Sequence, residues 1–557
     1  MLLQKHDIPY EIFEASDRPG GRIFTYSFRP DPDKSLNGKH EYYDVGAMRF
    51  PNNNANKATF DLFKELGFRF RNEENPDGEL IEFKFGIGDN IRHFNGISTT
   101  AKDAAAGFDL FGEGKPLGNV PRGFVDVQDT DEEGNVYRGV DACHFKAFSD
   151  LRKKLASDFD KEWKKLLEEW DWASTHSYLA RAEELRFPQP VIDWIEKHKS
   201  GTGRYAQALT EEILTALIVY DPNIAKNGWW CLEGGSEVLI KEMLFKLSNP
   251  PHYNHRVTAV AEDSMCFPDP SRRMKVSIQG RKYEYFSHVV STVSFAALRT
   301  VDTDDVFMNY GQREAMRVLY YGDAIKVGIK FKTRWWEKDA VKYKQLGGAS
   351  NTDRQSRAVV YPSYGLEEEG PGVLLVSYNW GQDATRFGAL IKNSDWTKQL
   401  DPARVRPQSE EVLLEQIYQD LAVMHTPDNF DSEEVKKFKE TLIEDTLDYH
   451  TFDWSRSPFT MGAFAEFHPG QFSTLFADIL QPAGVFGNFH FAGELASHHH
   501  GWVGGALDSA MRVVEQIVMD LGLGLTSDKD RSLVFDSQTS ADEWHLWGMV
   551  EEVDADQ

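Results

Sequence analysis

The sequence predicts a mixed α/β protein with several domains, and three observations lead to that prediction. The chain has 557 residues, which corresponds to about three to four domains at roughly 150 residues per domain. Helical periodicity marks residues 148–220, whereas runs rich in β-branched residues mark residues 257–331. Hydrophobic residues make up 41% of the chain and aromatic residues 13%, so a large core can form and wholesale disorder is excluded.

The composition also excludes several classes of protein. The 62 basic and 88 acidic residues give a formal net charge of −26, which disfavours general binding to nucleic acid or anionic lipid. Cys143, Cys231 and Cys266 form no C-x-x-C pair, so structural zinc and a disulfide framework are poor interpretations. Because neither a membrane-spanning stretch nor a signal peptide is visible, we expect a soluble protein of unassigned compartment.

The helical elements follow from apolar residues recurring every three to four positions. We predict the end of a helix at the amino terminus and longer helices over residues 148–172, 209–220, about 412–424 and about 505–521. Strands are predicted where β-branched residues cluster, at residues 257–263, 274–279, 285–293 and 325–331. Residues 75–139 read as loops and short strands, and the last thirty or so residues read as a loose acidic tail.

The first candidate site is EASDRPGGR, residues 14–22. A carboxylate such as Glu14 at the end of a strand can accept both hydroxyls of a nucleotide ribose. Gly20 and Gly21 allow a backbone to approach phosphate, and Arg22 adds a fixed positive charge. The alternative is an ordinary strand end and turn, because short glycine motifs recur by chance.

The second candidate is Arg49, which follows a Gly-Ala-Met turn and is flanked by apolar residues. A guanidinium that is largely desolvated needs an anion, ideally a carboxylate bound in a two-point fork. Arg49 is therefore the leading ligand-binding residue of the sequence. The alternative is a structural salt bridge to one of the many acidic residues.

The third candidate is the Gly-rich segment FAGELASHHHGWVGGAL, residues 491–507, which leads into a helix. The free N–H groups and the positive dipole end of that helix can stabilise an anion. Metal binding by His498, His499 and His500 is disfavoured, because three consecutive side chains do not converge on one ion without unusual backbone. We predict no metal site.

Six segments in order resemble the flavin-containing amine oxidases, and in particular their L-amino-acid oxidase branch. The similarity extends from about Tyr10 to Leu521, and the order of the blocks is more specific than any block alone. The segments are EASDRPGGR (14–22), DVGAMRFP (44–51), WCLEGGSEVL (230–239), VVSTVSFAALR (289–299), WSRSPFTMGAFAEFHPGQF (454–472) and FAGELASHHHGWVGGAL (491–507).

The resemblance implies a non-covalently bound FAD, since no Cys follows Cys266 to form a thioether. By this resemblance Glu14 holds the ribose, Val257 lies on the strand that meets the adenine, and the other residues lie along the phosphates or the flavin. The implied FAD-binding residues are Glu14, Gly20, Gly21, Arg22, Gly46, Ala47, Met48, Arg49, Val257, Gly493, Glu494, Trp502 and Val503.

The resemblance also implies a substrate site. Arg49 matches the arginine that clamps the substrate carboxylate, and Tyr361 resembles the tyrosine that shares it. Gly501 and Trp502 resemble the residues beside the substrate amino group, and Lys326 resembles the catalytic lysine that positions a water near flavin N5. From the residues alone, a core aromatic is the favoured interpretation of Tyr361, and Lys326 could be exposed.

The implied architecture is a discontinuous Rossmann-like FAD-binding domain, a β-sheet substrate domain and a helical domain. We assign residues 1–52, 229–308 and 452–525 to the first, 53–147 and 309–451 to the second, 148–228 to the third and 526–557 to the tail. Family members begin with a strand and a G-x-G-x-x-G turn that this chain lacks, so we expect a short upstream extension in the natural protein.

The implied reaction is oxidative deamination of an L-amino acid by dioxygen to a 2-oxo acid, ammonia and hydrogen peroxide, with hydride transfer from Cα to flavin N5. Three alternatives stay open: an amine or polyamine oxidase, an amino-acid 2-monooxygenase on the same fold, and a flavin-poor inactive homologue. We expect no nucleic-acid or membrane partner, and a homodimer is left open.

Overall fold

The structure is a computed structural model that describes residues 1–523, apart from residues 32, 34, 36, 116–117, 133, 200, 264–268, 340, 393–406 and 427–431. The predicted tail at 526–557 lies outside the described residues, as does Cys266. The described chain combines many helices with several sheets, and the predicted mixed α/β class is confirmed. None of the described helices is both long enough and apolar enough to span a bilayer.

The α-helices are α1 (Leu2–Lys5), α2 (Lys57–Leu66), α3 (Ala101–Ala106), α4 (Arg122–Val125), α5 (Val140–Ser157), α6 (Phe159–Trp170), α7 (Thr175–Arg181), α8 (Gln189–Lys199), α9 (Leu209–Val219), α10 (Pro222–Asn227), α11 (Glu237–Lys246), α12 (Phe295–Leu298), α13 (Tyr310–Val318), α14 (Gly381–Gly388), α15 (Gln408–His425), α16 (Glu433–Asp445), α17 (Ala477–Leu480) and α18 (Val503–Asp520).

The strands are β1 (Thr25–Ser27), β2 (Tyr42–Asp44), β3 (Phe50–Pro51), β4 (Leu80–Glu82), β5 (Ile91–Phe94), β6 (Ile97–Thr100), β7 (Gln128–Thr130), β8 (Val136–Arg138), β9 (Trp229–Leu232), β10 (Val257–Glu262), β11 (Met274–Ile278), β12 (Glu284–Phe286), β13 (Val289–Ser291), β14 (Tyr320–Tyr321), β15 (Ala324–Phe331), β16 (Ala349–Thr352), β17 (Ala358–Val360), β18 (Gly372–Trp380), β19 (Thr446–Asp453), β20 (Ala465–Glu466) and β21 (Phe489–Phe491).

A seven-stranded sheet of order β19-β15-β18-β17-β16-β5-β6 forms the largest layer. Every residue of β15 is buried, which explains why this strand is apolar on both faces apart from two lysines. Lys326 of β15 lies opposite Tyr378 of β18 and Phe452 of β19. The sheet thus carries Lys326 into the interior, and the alternative that this lysine is exposed is wrong.

Two smaller sheets hold the predicted binding segments. β3 and β4 both pair antiparallel with β9, which brings the residues after the Gly-Ala-Met turn next to Trp229. β13 and β21 pair in parallel, and β21 leads directly into the Gly-rich segment before α18. α18 and α9 begin within two residues of their predicted starts.

Two predicted elements are each divided in the structure. The helix predicted over residues 148–172 is two helices, because the Asp158 side chain accepts the N–H of Lys161 and starts α6 anew. The strand predicted over 285–293 is β12 and β13, which belong to different sheets. The spacing of apolar residues does not reveal such breaks. The same spacing continues before and after a helix cap or a change of sheet.

Candidate functional site

Arg49 lies immediately before β3, in a wall of aromatic rings. The centre of its guanidinium is 4.7 Å from the ring centroid of Phe85, 5.7 Å from that of Trp229 and 6.0 Å from that of Phe83. The pairing of β3 and β4 with β9 brings these rings together, since Phe83 donates its N–H to the Trp229 carbonyl at 2.8 Å. The guanidinium therefore sits on ring faces, where cation–π attraction holds it.

The Arg49 guanidinium has no ion pair with a carboxylate of the residues that the structure describes. Burial lowers its pKa, and among the described residues the hydroxyl of Tyr378 opposes this shift in part. Among the described residues Arg49 therefore does not form the structural salt bridge that was the alternative interpretation. A half-buried cation without an anion is costly unless a ligand supplies one.

Lys326 lies beside this wall and is held by backbone carbonyls. Its Nζ donates to the carbonyl of Asp44 at 2.9 Å and to that of Gly46 at 2.7 Å, and it lies 4.5 Å from the centroid of the Tyr378 ring. Burial lowers the pKa of Lys326, and Arg49 lowers it further against the opposing charge of Asp44. The ammonium form of Lys326 has three donors, so in that form one N–H remains for a water or a ligand.

Tyr361 is not brought to Arg49. Its side chain is fully buried, and its hydroxyl donates to Ser350 Oγ at 3.0 Å and lies 3.0 Å from His425 Nε2. It packs in the core formed by the large sheet and α15, so its placement corresponds to the core-aromatic alternative. The tyrosine within electrostatic range of Arg49 is Tyr378.

Arg22 and Glu494, two residues predicted along the cofactor, meet each other. Arg22 Nη1 donates to Glu494 Oε1 at 2.6 Å and to the Ala463 carbonyl at 3.2 Å. The second oxygen of Glu494 accepts the N–H of Gly501 at 2.9 Å. This buried ion pair therefore joins the segment around residue 22 to the Gly-rich segment around residue 494, which lie far apart in the sequence.

The turn at Gly20 and Gly21 has positive φ at both residues, +94° and +55°, a conformation that favours glycine. Arg18, which the sequence analysis did not single out, donates to the Gly21 carbonyl at 2.8 Å. Gly46 is required for a different reason, because a Cβ there would overlap the Arg22 carbonyl. Ala47 donates its N–H to that same carbonyl at 3.2 Å, and Met48 packs on the neighbouring core.

Glu14 lies in an extended segment whose backbone bonds to residues 252 and 255, just before β10 and Val257. One carboxylate oxygen, Oε1, accepts the N–H of Ser16 at 2.8 Å and its hydroxyl at 2.7 Å. The other oxygen has no hydrogen-bond partner among the described residues. The structure thus places Glu14 and Val257 in neighbouring segments and leaves one acceptor of Glu14 open.

The Gly-rich segment ends in α18, whose first turn carries no side-chain cap. Its first N–H groups therefore lack intrahelical acceptors, and Trp502 and Val503 lie at that end. The ring centroid of Trp502 lies 5.9 Å from that of Trp229, which links this helix end to the Arg49 wall. Gly501 completes the edge, with the Phe464 ring 3.5 Å from where its Cβ would lie.

The three consecutive histidines face three different partners. His498 lies against Phe476 with ring centroids 4.6 Å apart. His499 Nδ1 lies 3.1 Å from Asp508, and His500 Nδ1 lies 2.7 Å from Glu211.

Comparison with known proteins decides the family. A family model described as flavin containing amine oxidoreductase matches residues 1–518. The chain belongs to the flavin-containing amine oxidoreductase family. The resemblance drawn from the six sequence segments is confirmed.

Relatives of this flavin amine oxidoreductase include an L-amino-acid oxidase 4 of Hebeloma cylindrosporum, 34% identical over 92% of this chain and 78% of that protein. A putative bifunctional amine oxidase of Dictyostelium discoideum is 32% identical over 100% of this chain and 47% of that protein. A putative L-amino-acid oxidase of Bacillus subtilis is 25% identical over 91% of this chain and 89% of that protein.

Solved structures show the same fold. A putrescine oxidase bound to putrescine has a TM-score of 0.63 at 17% identity, covering 93% of this chain and 95% of that one. A cyclohexylamine oxidase from Brevibacterium oxydans has a TM-score of 0.60 at 17% identity, covering 94% and 96%. At 17% identity the similarity supports the fold of this flavin amine oxidoreductase and gives no information on its substrate.

The residues fit the flavin that the family implies. A Cβ on Gly21 would meet nothing within 4 Å, and one on Gly493 would meet only the Thr292 carbonyl at 3.6 Å, so both backbones border open space. The uncapped start of α18 and the open oxygen of Glu14 supply donors and an acceptor. This set suits an anionic ring edge and a sugar hydroxyl.

Some site residues carried little signal in the sequence. Tyr378 stands in the apolar run VLLVSYNW, where its polar hydroxyl is a weak cue. Phe83, Phe85 and Trp229 reach Arg49 through pairing of strands far apart in the chain, and sequence spacing does not report this pairing.

Proposed function

We propose that the chain is an FAD-dependent L-amino-acid oxidase. With non-covalently bound FAD, it converts an L-amino acid, water and dioxygen to a 2-oxo acid, ammonia and hydrogen peroxide. A bound flavin would supply the redox chemistry, as the acceptor at N5 of a hydride from Cα, with dioxygen as the final electron acceptor. The protein binds the amino acid, orients it and excludes water.

The unpaired guanidinium of Arg49 carries this proposal. The aromatic rings keep water away from the Arg49 guanidinium. A substrate carboxylate bound in a two-point fork neutralises the guanidinium and accepts the hydrogen bonds that water would otherwise accept. An amine substrate has no carboxylate and would leave the cation unpaired in the same wall. The site chemistry therefore favours amino acids over simple amines.

Other residues of the wall orient the substrate in this proposal. Tyr378 takes the place first given to Tyr361 and shares the carboxylate with Arg49, since Tyr378 is the tyrosine within electrostatic range of Arg49. Lys326 keeps one N–H for a water, because the Asp44 and Gly46 carbonyls accept the other two. Gly501 and Trp502 border the substrate amino group in this proposal.

The FAD contacts proposed for this chain combine groups that the structure leaves open with residues assigned by the resemblance. Glu14 accepts from the ribose through its open oxygen, and Val257 lies on the strand beside the adenine. The first N–H groups of α18 stabilise negative charge on the flavin edge. The remaining contacts are assigned to Gly20, Gly21, Arg22, Gly46, Ala47, Met48, Gly493, Glu494 and Val503.

The test is the variant Arg49→Leu assayed with L-phenylalanine and with phenethylamine, which lacks only the carboxylate. We expect kcat/KM for the amino acid to fall about 10²- to 10⁴-fold, because the carboxylate loses its charged fork. The amine should be unaffected or improved. Arg49→Lys is the matched control that keeps the charge and loses the fork, and we expect an intermediate loss.

Other outcomes identify the competing functions. A wild-type protein that prefers the amine, or an Arg49→Leu variant that still prefers the amino acid, contradicts the clamp. An amide and carbon dioxide in place of peroxide indicate a 2-monooxygenase. A protein that stays colourless after incubation with FAD, both as this chain and with a restored upstream segment, indicates an inactive homologue.

A further inference from the structure

His500 lies directly before Gly501, and its buried ring packs against two aromatic rings. Its Nδ1 is 2.7 Å from Glu211 Oε1, and both side chains are almost fully buried. The His500 ring stacks on Phe472, with centroids 5.8 Å apart and an interplanar angle of 14°, and lies 4.9 Å from the Phe467 ring. Glu211 belongs to α9, so this contact joins the helical region to the Gly-rich segment.

His500 is one member of a row of four buried charges that alternate in sign. Arg22 pairs with Glu494, Glu494 lies within electrostatic range of His500, and His500 pairs with Glu211. A neutral His500 would leave two buried carboxylates against one guanidinium. Burial of an uncompensated charge is strongly unfavourable, so charge balance requires the imidazolium.

The other charges that face this row do not alter the balance. Arg204 lies within electrostatic range of Glu211, but it forms its own ion pair with Glu466. Burial raises the pKa of Glu212, the neighbour of Glu211 on α9, to about 7, so this carboxyl is about half ionised at neutral pH, and its charge adds to the need for a cation instead of relieving it. His468 lies near Glu211 as well, and burial lowers the pKa of its ring.

The directions of the pKa shifts of His500 and Glu494 agree with a charged His500. Burial alone would lower the pKa of His500, but the charge and hydrogen bond of Glu211 and the charge of Glu494 outweigh it and raise the pKa. Burial would raise the pKa of Glu494, and Arg22, His500 and the Gly501 N–H together lower it.

We propose that His500 is held as an imidazolium between Glu211 and Glu494 and that it positions the Gly501–Trp502 segment at the flavin site. Glu494 binds the Gly501 N–H at 2.9 Å and Arg22 at 2.6 Å. The charge on His500 keeps Glu494 in that position and ties the segment to α9 through Glu211. His500 is thus a positioning residue, and the part of the proposal that concerns flavin rests on the proposed function.

The test compares His500→Gln with His499→Gln, the same change one residue earlier, where the histidine faces Asp508 instead. FAD dissociation constants are measured from pH 6 to pH 9 by flavin fluorescence. We expect His500→Gln to weaken FAD binding about 10- to 100-fold at pH 6, the range for loss of a charged hydrogen bond. In the wild type, affinity should fall as the pH rises through the raised pKa of His500, and His500→Gln should remove this step.

The double variant His500→Gln/Glu211→Gln provides the rescue. It removes the carboxylate that His500→Gln leaves unpaired, so we expect it to regain at least tenfold of the lost affinity. The unfolding equilibrium of the apoprotein provides a readout without flavin, in which His500→Gln should be destabilised at pH 6 and the double variant should recover.

Three results would overturn the proposal. The first is a His500→Gln variant with the FAD affinity and the pH dependence of the wild type. The others are an equal loss of FAD affinity in His499→Gln and no recovery of affinity in the double variant. If the wild type binds no FAD at any pH, even with a restored upstream segment, the proposed function fails, and with it the role at the flavin. The apoprotein unfolding series then still decides whether His500 is charged.

Discussion

Arg22 and Arg49 lie 27 positions apart, and the protein treats their charges in opposite ways. Arg22 donates to Glu494 at 2.6 Å and to the Ala463 carbonyl at 3.2 Å. Arg49 lies against Phe83, Phe85 and Trp229 and has no carboxylate partner in the described chain. The first cation is completed by the protein itself, whereas the second needs a ligand to complete it.

The pKa shifts express the same difference. Burial would lower the pKa of Arg22, but the charge and hydrogen bond of Glu494 raise it. Burial lowers the pKa of Arg49, and Tyr378 offsets this only in part. A buried charge that the fold has paired is costly to deprive of its partner, and a charge left unpaired is available for binding.

The largest expected effect is on stability and concerns the paired arginine. Arg22→Leu should reduce the free energy of unfolding of the apoprotein by about 3–5 kcal/mol, because Glu494 is left as an uncompensated buried charge. Arg49→Leu should change it by less than about 1 kcal/mol, since lost cation–π attraction is offset by removal of a poorly solvated cation. Urea unfolding of the two variants measures both values.

A double variant controls for disruption of packing. Adding Glu494→Gln to Arg22→Leu removes the orphaned charge, and we expect it to recover part of the lost stability. Equal losses in Arg22→Leu and Arg49→Leu would contradict the distinction between the two arginines.

The next effect in size separates the two tyrosines. Tyr378→Phe should lower kcat/KM for an L-amino acid about tenfold or more, because a hydrogen bond to the charged carboxylate is lost. Tyr361→Phe should leave kcat/KM within about threefold and instead reduce the free energy of unfolding by about 1–3 kcal/mol, since its hydroxyl bonds to Ser350 and His425.

Steady-state kinetics and urea unfolding of both variants check this pair of expectations. If Tyr361→Phe reduced kcat/KM and Tyr378→Phe did not, the original assignment of Tyr361 would return.

The sequence was sufficient for the fold class and for most long elements, and it singled out Arg49 as a candidate. Arg49 was found because its cause is local: an arginine between a glycine turn and apolar residues has few ways to be solvated. The family followed from six segments in order, since their joint order is far more specific than any one motif. Domain bounds and residue roles remain predictions.

What the sequence did not predict depends on contacts between distant residues. Tyr361 and Tyr378 are both tyrosines near the strands of one sheet, and only the placement of Ser350 and His425 marks the first as core. The break at Asp158 depends on one side-chain cap within an unbroken apolar period. Such features are set by partners that spacing does not reveal.

The cluster around His40 extends the comparison, because its paired cation is a histidine that loses its charge as the pH rises. His40 places Nδ1 2.7 Å from Glu368 and Nε2 2.8 Å from Glu233. Burial would lower the pKa of His40, but the hydrogen bonds to both glutamates raise it. The hydrogen bond from His40 is the main reason that the pKa of Glu233 is lowered to about 2.

The smallest expected effect is the pH dependence of this cluster. Because the folded pKa of His40 is raised, its contribution to stability is present below the ordinary histidine pKa of about 6.5 and is lost as the pH rises through the folded pKa. The Glu233 contribution is lost only as the pH falls toward about 2. Between pH 6 and pH 9 the wild type should therefore lose more stability than His40→Gln.

Urea unfolding at the two pH values measures the difference, which should stay below about 1 kcal/mol because Glu368 is 43% exposed. Titration of other histidines is common to both proteins and cancels in the comparison. Added salt should reduce the difference, since it screens an exposed pair more than a buried one. An identical pH dependence in His40→Gln would mean that pairing does not stabilise His40, and the distinction drawn from Arg22 would not extend to a partly exposed cluster.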